Sequence, residues 1–362
     1  MSIYKKLHVK SGIKDYGVYF TDNFNDGFES QRGKNLYLII DKNVSEYYKS
    51  ELAPILKIWP YMILEATEKQ KTLDRVKVVI RKLIDDGFKR NHTLVAIGGG
   101  IIQDIVGFAA SILYRGVDWA FYPTTLLAQS DSCIGSKTSI NIDQYKNQLG
   151  NFYPPRAVFL NTAFLGTLSD KDIRSGLGEI IKVHFLDGRR SLDYINANYD
   201  ASLRDKRVMD KLIFRSLNIK KRVIEIDEFD TGYRNIMNYG HTFGHALESL
   251  TNYGLCHGQA ITVGMDISNY ISYRLKYISK SSYFMFKEVL LKDWPRYYLN
   301  NLDMGMYFKS LSKDKKNIDN RINMILTKGP GRMMKKGFVM NKKMRGIILS
   351  YFAGIKKEHD AR

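Results

Sequence analysis

Cysteine is scarce: Cys133 and Cys256 are the two in 362 residues, and neither has a CxxC partner. That excludes a disulfide framework and a cysteine zinc site, so a metal here has to be held by histidine and carboxylate. Long apolar runs are missing too. None reaches the roughly 18 residues of a membrane span, and no apolar stretch follows the basic start MSIYKKLHVKSG as a secretory signal would require. The expectation is a cytoplasmic protein with no membrane partner. Acid is short relative to base, 37 Asp and Glu against 56 Lys and Arg, a formal net charge of +19. Over half of that excess lies in residues 301–362, which hold 15 cations against 5 acids. Such a surface attracts nucleic acid or an anionic small molecule. No helix-turn-helix, zinc knuckle or aromatic RNA-binding signature accompanies it, so nucleic acid is not the expected partner.

What is present is a globular composition, 44% apolar and 26% charged, in a chain long enough for two domains. Leu36–Asp41 reads as a buried strand ending in a carboxylate. Arg75–Asp86 has helical spacing. Thr93–Ile97 reads as a second strand, followed at once by Gly98-Gly99-Gly100 and the helical stretch Ile101–Leu113; Ala120–Tyr122 leads into Pro123-Thr124-Thr125. This β-α-β-α rhythm predicts a Rossmann-like parallel sheet covered by helices. Proline, seven in all, is then absent from Pro155 to Pro295. Apolar residues recur at helical intervals through Ile173–Phe185, Val208–Ile226 and His241–Leu250, which predicts a mainly helical second domain. The expected division is an α/β nucleotide-binding domain over 1–165 and a helical metal- and substrate-binding domain over 166–362.

Three constellations carry chemistry. Glycines between strand and helix let backbone approach a phosphate at a helix N-terminus, although Gly98-Gly99-Gly100 lacks the third glycine of the usual dinucleotide fingerprint. By itself the triplet is as compatible with a plain tight turn, and Asp41 with a helix cap. His241 and His245 stand four residues apart on one helix face, with His257 sixteen after His241 and Glu179 and Lys182 one turn apart on another helix. One Glu with two or three His suits a catalytic divalent metal that keeps open positions. Asp131 to Asn141, continuing to Lys146-Asn147, mixes carboxylate, lysine and amide as a polyhydroxylated anion requires; taken singly it also reads as a solvated loop.

Together and in order, these segments resemble the 3-dehydroquinate synthase family of the sugar phosphate cyclases. The resemblance runs from Gly98-Gly99-Gly100 and Asp104 through Gly107–Ala110, Tyr114-Arg115-Gly116, Pro123–Gln129, Asp131, Lys137, Lys146-Asn147, Gly178-Glu179, Lys182, Asp227-Glu228, Arg234, Asn238 and Gly240–His245 to His257-Gly258. A weaker match closes at Asp314-Lys315-Lys316. The resemblance implies zinc or cobalt on Glu179, His241 and His257. It implies NAD on Asp41, Glu68, Lys71, Gly99, Gly100, Asp104, Thr124, Thr125 and Thr167. It places a phosphorylated sugar acid against Asp131, Lys137, Lys146, Asn147, Lys182, Lys220, Arg234, Asn238, His245 and one of Lys315 and Lys316, and implies a homodimer in which Arg115 reaches the neighbouring subunit's phosphate site. The implied reaction is transient oxidation, phosphate elimination, re-reduction and aldol closure of 3-deoxy-D-arabino-heptulosonate 7-phosphate to 3-dehydroquinate. Ser136 and Ser139 replace glycines of the family pattern, and Gln103, Tyr145 and Gln259 also depart from it. A sibling cyclase on another sugar phosphate, and a metal-dependent polyol dehydrogenase, are the competing expectations.

Overall fold

The computed structural model describes residues 3–29, 31, 33–143, 145–251, 254–295, 299, 302–312 and 321–360, the last four of these by backbone alone. The chain divides into two compact units, one of Met1–Ser169 with Lys220–Phe229, the other of Asp170–Ile219 with Asp230–Arg362. The segment Lys220–Phe229 thus groups with the first unit, where a single cut in sequence would have assigned it to the second.

In the first unit the strands are, in chain order, β1 (Ile3–Val9), β2 (Tyr16–Thr21), β3 (Leu36–Asp41), β4 (Tyr61–Leu64), β5 (Thr93–Gly98), β6 (Asp118–Pro123), β7 (Ile140–Ile142), β8 (Tyr145–Leu149) and β9 (Ala157–Leu160). Seven form one sheet in the order β1-β2-β9-β6-β5-β3-β4, parallel throughout except where β1 pairs with β2. Its helices are α1 (Asp26–Glu29), α2 (Lys42–Tyr47), α3 (Lys49–Leu56), α4 (Leu73–Asp85) and α5 (Gly100–Ile112). Strand β5 is buried along its whole length and so lacks polar alternation, as expected of a parallel strand covered on both faces. The core on one side of the sheet is aromatic and aliphatic, with Phe28 stacked on Tyr122 at 4.4 Å. Strands β7 and β8 stand apart as an antiparallel hairpin with an irregular register between Ile140 and Ile142.

The sheet order decides where a ligand can enter. From β3 the chain proceeds to β4 on one side; from β5 it proceeds to β6 on the other. Between the carboxyl ends of β3 and β5 no connection crosses, which is the switch point where open α/β sheets bind ligands. Asp41 ends β3 and Gly98 ends β5.

The second unit contains α6 (Asp170–Asp187), α7 (Arg189–Ser202), the first two-thirds of α8 (Lys206–Ile226), α9 (His241–Leu250), α10 (His257–Arg274), α11 (Lys280–Leu291), α12 (Met304–Ser312) and α13 (Lys342–Asp360). One antiparallel hairpin, β10 (Arg321–Thr327) with β11 (Met333–Val339), interrupts the helices. A core of Phe243, Ile267, Tyr307, Met324 and Ile348 gathers α9, α10, α12, β10 and α13. Among the described residues no helix is long and apolar enough to cross a membrane.

Candidate active site

At the switch point, Thr124 N–H donates to Gly98 O at 2.9 Å, drawing the start of the Pro-Thr-Thr turn onto the glycine triplet. A side chain on Gly99 would place its Cβ 2.8 Å from Thr125 Cγ2, so glycine is needed there for close approach. Gly99 is the N-cap of α5 and no side chain caps that helix, so its first N–H groups are available to an anion. Asp41 caps α2 by accepting from Asn43 N–H at 2.9 Å, and burial raises its carboxyl above the usual range. Thr167, at the end of a short 3-10 turn, shares a 3.2 Å contact with Tyr48 Oη. An uncapped helix start and a glycine that admits no Cβ fit a dinucleotide's phosphates.

Beside this lies a polar network built around Lys71, which is 6% exposed. Its Nζ donates to Asn147 Oδ1 at 2.7 Å and Asp104 Oδ2 at 3.2 Å, and lies 3.6 Å from Glu68. Lys146 Nζ is 3.8 Å from the same Glu68 oxygen. Burial pushes the Asp104 carboxyl up to about 6 against the opposing charge of Lys71. Lys220, on the part of α8 that groups with this unit, holds both Asp131 O at 2.7 Å and Asp131 Oδ1 at 3.0 Å. Lys137 and Arg115 are exposed. Tyr114 and Arg115 both adopt left-handed backbone (φ 51° and 66°) before Gly116, a strained turn of the kind that aims functional side chains.

Ser136 also has a left-handed backbone, φ 63°, where the family pattern has glycine. Its hydroxyl donates to Glu228 Oε1 at 2.6 Å, and Glu228 further accepts from Ser11 Oγ and Gly12 N–H, each at 2.7 Å. Gln103, another departure, exchanges two 2.7 Å hydrogen bonds with Ser132. Both replacements are thus accommodated by new hydrogen bonds.

In the second unit, Glu179 on α6, His241 at the start of α9 and His257 at the start of α10 converge. One donor atom from each lies within 4.8 Å of the others. His257 Nε2 is 3.3 Å and His241 Nε2 3.7 Å from Glu179 Oε1. Helix packing explains the convergence, because each of the three residues adjoins a glycine at a helix crossing. A Cβ on Gly178 would fall 2.2 Å from Gly258 O, one on Gly258 1.9 Å from Ser175 O, and one on Gly240, φ 81°, 2.6 Å from Ile261 O. With backbones that close, short side chains from three helices reach one point.

Neither Glu179 oxygen makes a hydrogen bond of good geometry, although the Lys182 ammonium touches one of them and both oxygens are buried. Burial would raise this carboxyl, but Lys182, His257 and His241 hold it well below the usual range. Burial, aided by Lys182, pushes His241 well below the ordinary imidazole range. For His257 burial acts the same way, yet the adjacent carboxylates of Glu179 and Glu248 lift it to about 10. A buried, ionised, under-bonded carboxylate with two imidazole nitrogens is a donor set that fits zinc or cobalt.

Sequence reading missed Glu248. It lies 3.2 Å from His257 Nδ1, an arrangement in which Nδ1–H donates to Glu248 and Nε2 turns to Glu179. The spacing signal was present, since Glu248 follows His245 by three residues on α9 and so shares its face. His245, Glu248 and His257 form a second cluster of metal-capable groups that shares His257 with the first. His245 is exposed, its ring 5.1 Å from that of His241. Arg234 is buried and Asn238 donates to Asn235 O at 3.2 Å, both in a 3-10 turn just before α9. Lys315 and Lys316 lie outside the described residues.

A parallel sheet open at its switch point, carried with a helical unit in which Glu179, His241 and His257 converge, is an architecture found in sugar phosphate cyclases and also in iron-containing alcohol dehydrogenases. Solved structures bear this out at the level of fold. A 2-deoxy-scyllo-inosose synthase crystallised with carbaglucose-6-phosphate, NAD+ and Co2+ superposes with a TM-score of 0.83 over 95% of this chain and 99% of its own, at 24% identity. A 2-epi-5-epi-valiolone synthase of Streptomyces hygroscopicus with NAD+ and Zn2+ gives 0.84 over 95% and 99%, at 23%. Sequence narrows the class: the 3-dehydroquinate synthase N-terminal profile matches residues 61–175 and the C-terminal profile 176–317. The 3-dehydroquinate synthase of Alkaliphilus metalliredigens is 34% identical over 341 residues, covering 91% of this chain and 95% of that protein. The chain belongs to the 3-dehydroquinate synthase family.

Proposed function

We propose that the chain is a phosphate-eliminating cyclase, a carbon–oxygen lyase that converts 3-deoxy-D-arabino-heptulosonate 7-phosphate to 3-dehydroquinate and phosphate. The observation that carries this reading is the convergence of Glu179, His241 and His257 on glycine-packed helices. Residues 1–165 would serve NAD and residues 166–362 the metal, with sugar-binding residues in both. When bound, NAD takes and returns one hydride, and zinc or cobalt on that trio polarises a carbinol oxygen.

The chain's own groups supply the rest. Lys182, pinned on Glu179 and 2% exposed, is a buried cation placed to donate to substrate oxygen. His245 exposes an imidazole beside His241 that can take or return a proton as the substrate C–H is lost and the C–O bond to phosphate breaks. Lys220, tied to Asp131 in the first unit, offers a cationic partner of the kind a substrate carboxylate requires, and the buried Arg234 of the second unit offers another. Lys137 and Lys146 offer charge to phosphate, while Asn147 and Asn238 offer amides to hydroxyls. We further read the protein as a cytoplasmic homodimer. An apolar hollow of about 460 Å³ between α4 and the end of α5, lined by Leu73, Val76, Ile80, Ile84 and Ile112, lies three residues from Arg115. Light scattering should then report twice the chain mass.

The test is phosphate release from the heptulosonate phosphate by zinc- or cobalt-loaded protein with NAD+. Stoichiometric phosphate without net NADH is expected. Release from a different sugar phosphate alone would favour a sibling cyclase, a reading supported by Ser136, Ser139 and Tyr145 in the lysine segment. Steady NADH accumulation with a simple polyol would instead mark a dehydrogenase.

A further inference from the structure

The two sets that the family resemblance separates, Glu68, Lys71 and Asp104 for NAD and Lys146 and Asn147 for the sugar, are joined in the first unit by a residue assigned to neither. Asn141 lies in β7 at the register irregularity of the hairpin and is 6% exposed. Both ends of its amide are used. Nδ2 donates to Glu68 Oε1 at 2.7 Å and to Glu68 O at 3.3 Å, while Oδ1 accepts from Asn147 N–H at 2.9 Å. Its backbone N–H donates to Lys71 O at 2.9 Å, and it forms a parallel bridge with Thr72.

Asn147 is held from both sides. Its φ is 56°, a left-handed conformation that asparagine adopts more readily than other non-glycine residues. Among its contacts, Lys71 Nζ donates to its side-chain oxygen and Asn141 Oδ1 accepts from its backbone N–H. A ligand that fixes the Glu68 carboxylate therefore fixes the Asn141 amide, and with it the backbone that carries Asn147 and the adjacent Lys146. A sugar phosphate held by Lys146 and Asn147 fixes the same amide from the other end. Thermodynamic linkage makes the effect reciprocal.

We propose that Asn141 is a positioning residue through which NAD+ and the anionic sugar tighten each other's binding. This rests on the functional reading above for which ligand each side contacts.

The test titrates NAD+ into zinc-loaded full-length protein with and without a saturating phosphonate isostere of the heptulosonate phosphate, which cannot eliminate phosphate. The wild-type protein is expected to bind NAD+ at least about fivefold more tightly with the isostere present. Asn141→Ala should bring that factor to within twofold of unity. Asn141→Asp keeps the acceptor for Asn147 N–H, but it loses the donor to Glu68 and sets a like charge against it, so it should lose the coupling as well. Both variants should melt within a few degrees of wild type, which a residue that merely held the hairpin together would not allow. Wild type that binds no NAD+ overturns the cofactor reading along with this one. Wild type that binds both ligands independently overturns this inference alone, as does Asn141→Asp with the full factor. Variants that unfold make Asn141 a purely structural residue and count equally against it.

Discussion

At the scale of single residues, charge compensation separates two side chains that both touch Glu179. His241 offers a neutral imidazole, burial having pushed its pKa well down, so it can ligate at neutral pH without first losing a proton. Lys182 forms an ion pair with the same carboxylate. Replacing His241 with alanine should therefore remove the metal and the activity together. Lys182→Ala should retain near-stoichiometric metal yet lose turnover by about 10²–10⁴-fold, the range of a positioned proton donor. Metal content by elemental analysis beside phosphate release checks both; a His241→Ala protein with full zinc would contradict the ligand assignment. Ser136 poses a different balance. Its left-handed backbone costs roughly 1–2 kcal/mol, while a hydrogen bond to the Glu228 carboxylate contributes about 1.5–3 kcal/mol. Ser136→Gly sheds both and Ser136→Ala sheds only the bond. Urea midpoints should rank wild type above glycine and glycine above alanine.

At the scale of elements, the metal trio depends on how closely α10 meets α6 and α9. Adding one methyl at Gly258 would put carbon 1.9 Å from a backbone oxygen of α6, which has no flexible end to move aside. The helices would have to separate. Gly258→Ala should cost about 1–3 kcal/mol of stability and loosen metal binding roughly tenfold or more, though it deletes no ligand. Gly166→Ala serves as a control, because a Cβ there meets nothing within 4 Å. Chelator competition would measure the affinity, and equal zinc affinity for the two variants would refute the role given to helix approach.

At the scale of the whole molecule, two buried groups outside the candidate site should make opposing contributions to the acid response. Asp293 is fully buried and accepts from Tyr199 Oη at 2.8 Å; burial chiefly raises its pKa to about 7. Its folded pKa lies above the unfolded value, so its contribution to stability declines as pH rises from about 4 to 7. His184, fully buried with Nδ1 on Ile180 O, is pushed down to about 4 by burial. It is stabilising above about 6.5 and that contribution is lost as pH falls to 4. Each amounts to roughly 3–4 kcal/mol, with opposite slopes in one window. The wild-type urea midpoint should thus change little between pH 4 and 7 on their account. Asp293→Asn should tilt the profile toward instability in acid and His184→Gln toward stability in acid. Matching slopes in the two variants would refute the assignment.

The strand Leu36–Asp41, the helix from Gly100 and the helix His241–Leu250 were legible in the sequence because each is set by local periodicity, glycine placement and the absence of proline. The i, i+4 histidines and the Glu179–Lys182 turn were legible for the same reason, since spacing along a helix decides which side chains share a face. Long-range contacts were not. That Lys220–Phe229 groups with the sheet, that Glu228 holds Ser136 across 92 residues, that Glu248 orients His257, and that Asn141 joins Glu68 to Asn147 became visible only in three dimensions. Local pattern follows from the geometry of a few consecutive peptide units; partners brought together by packing depend on every crossing between them, and no short stretch of sequence encodes that distance.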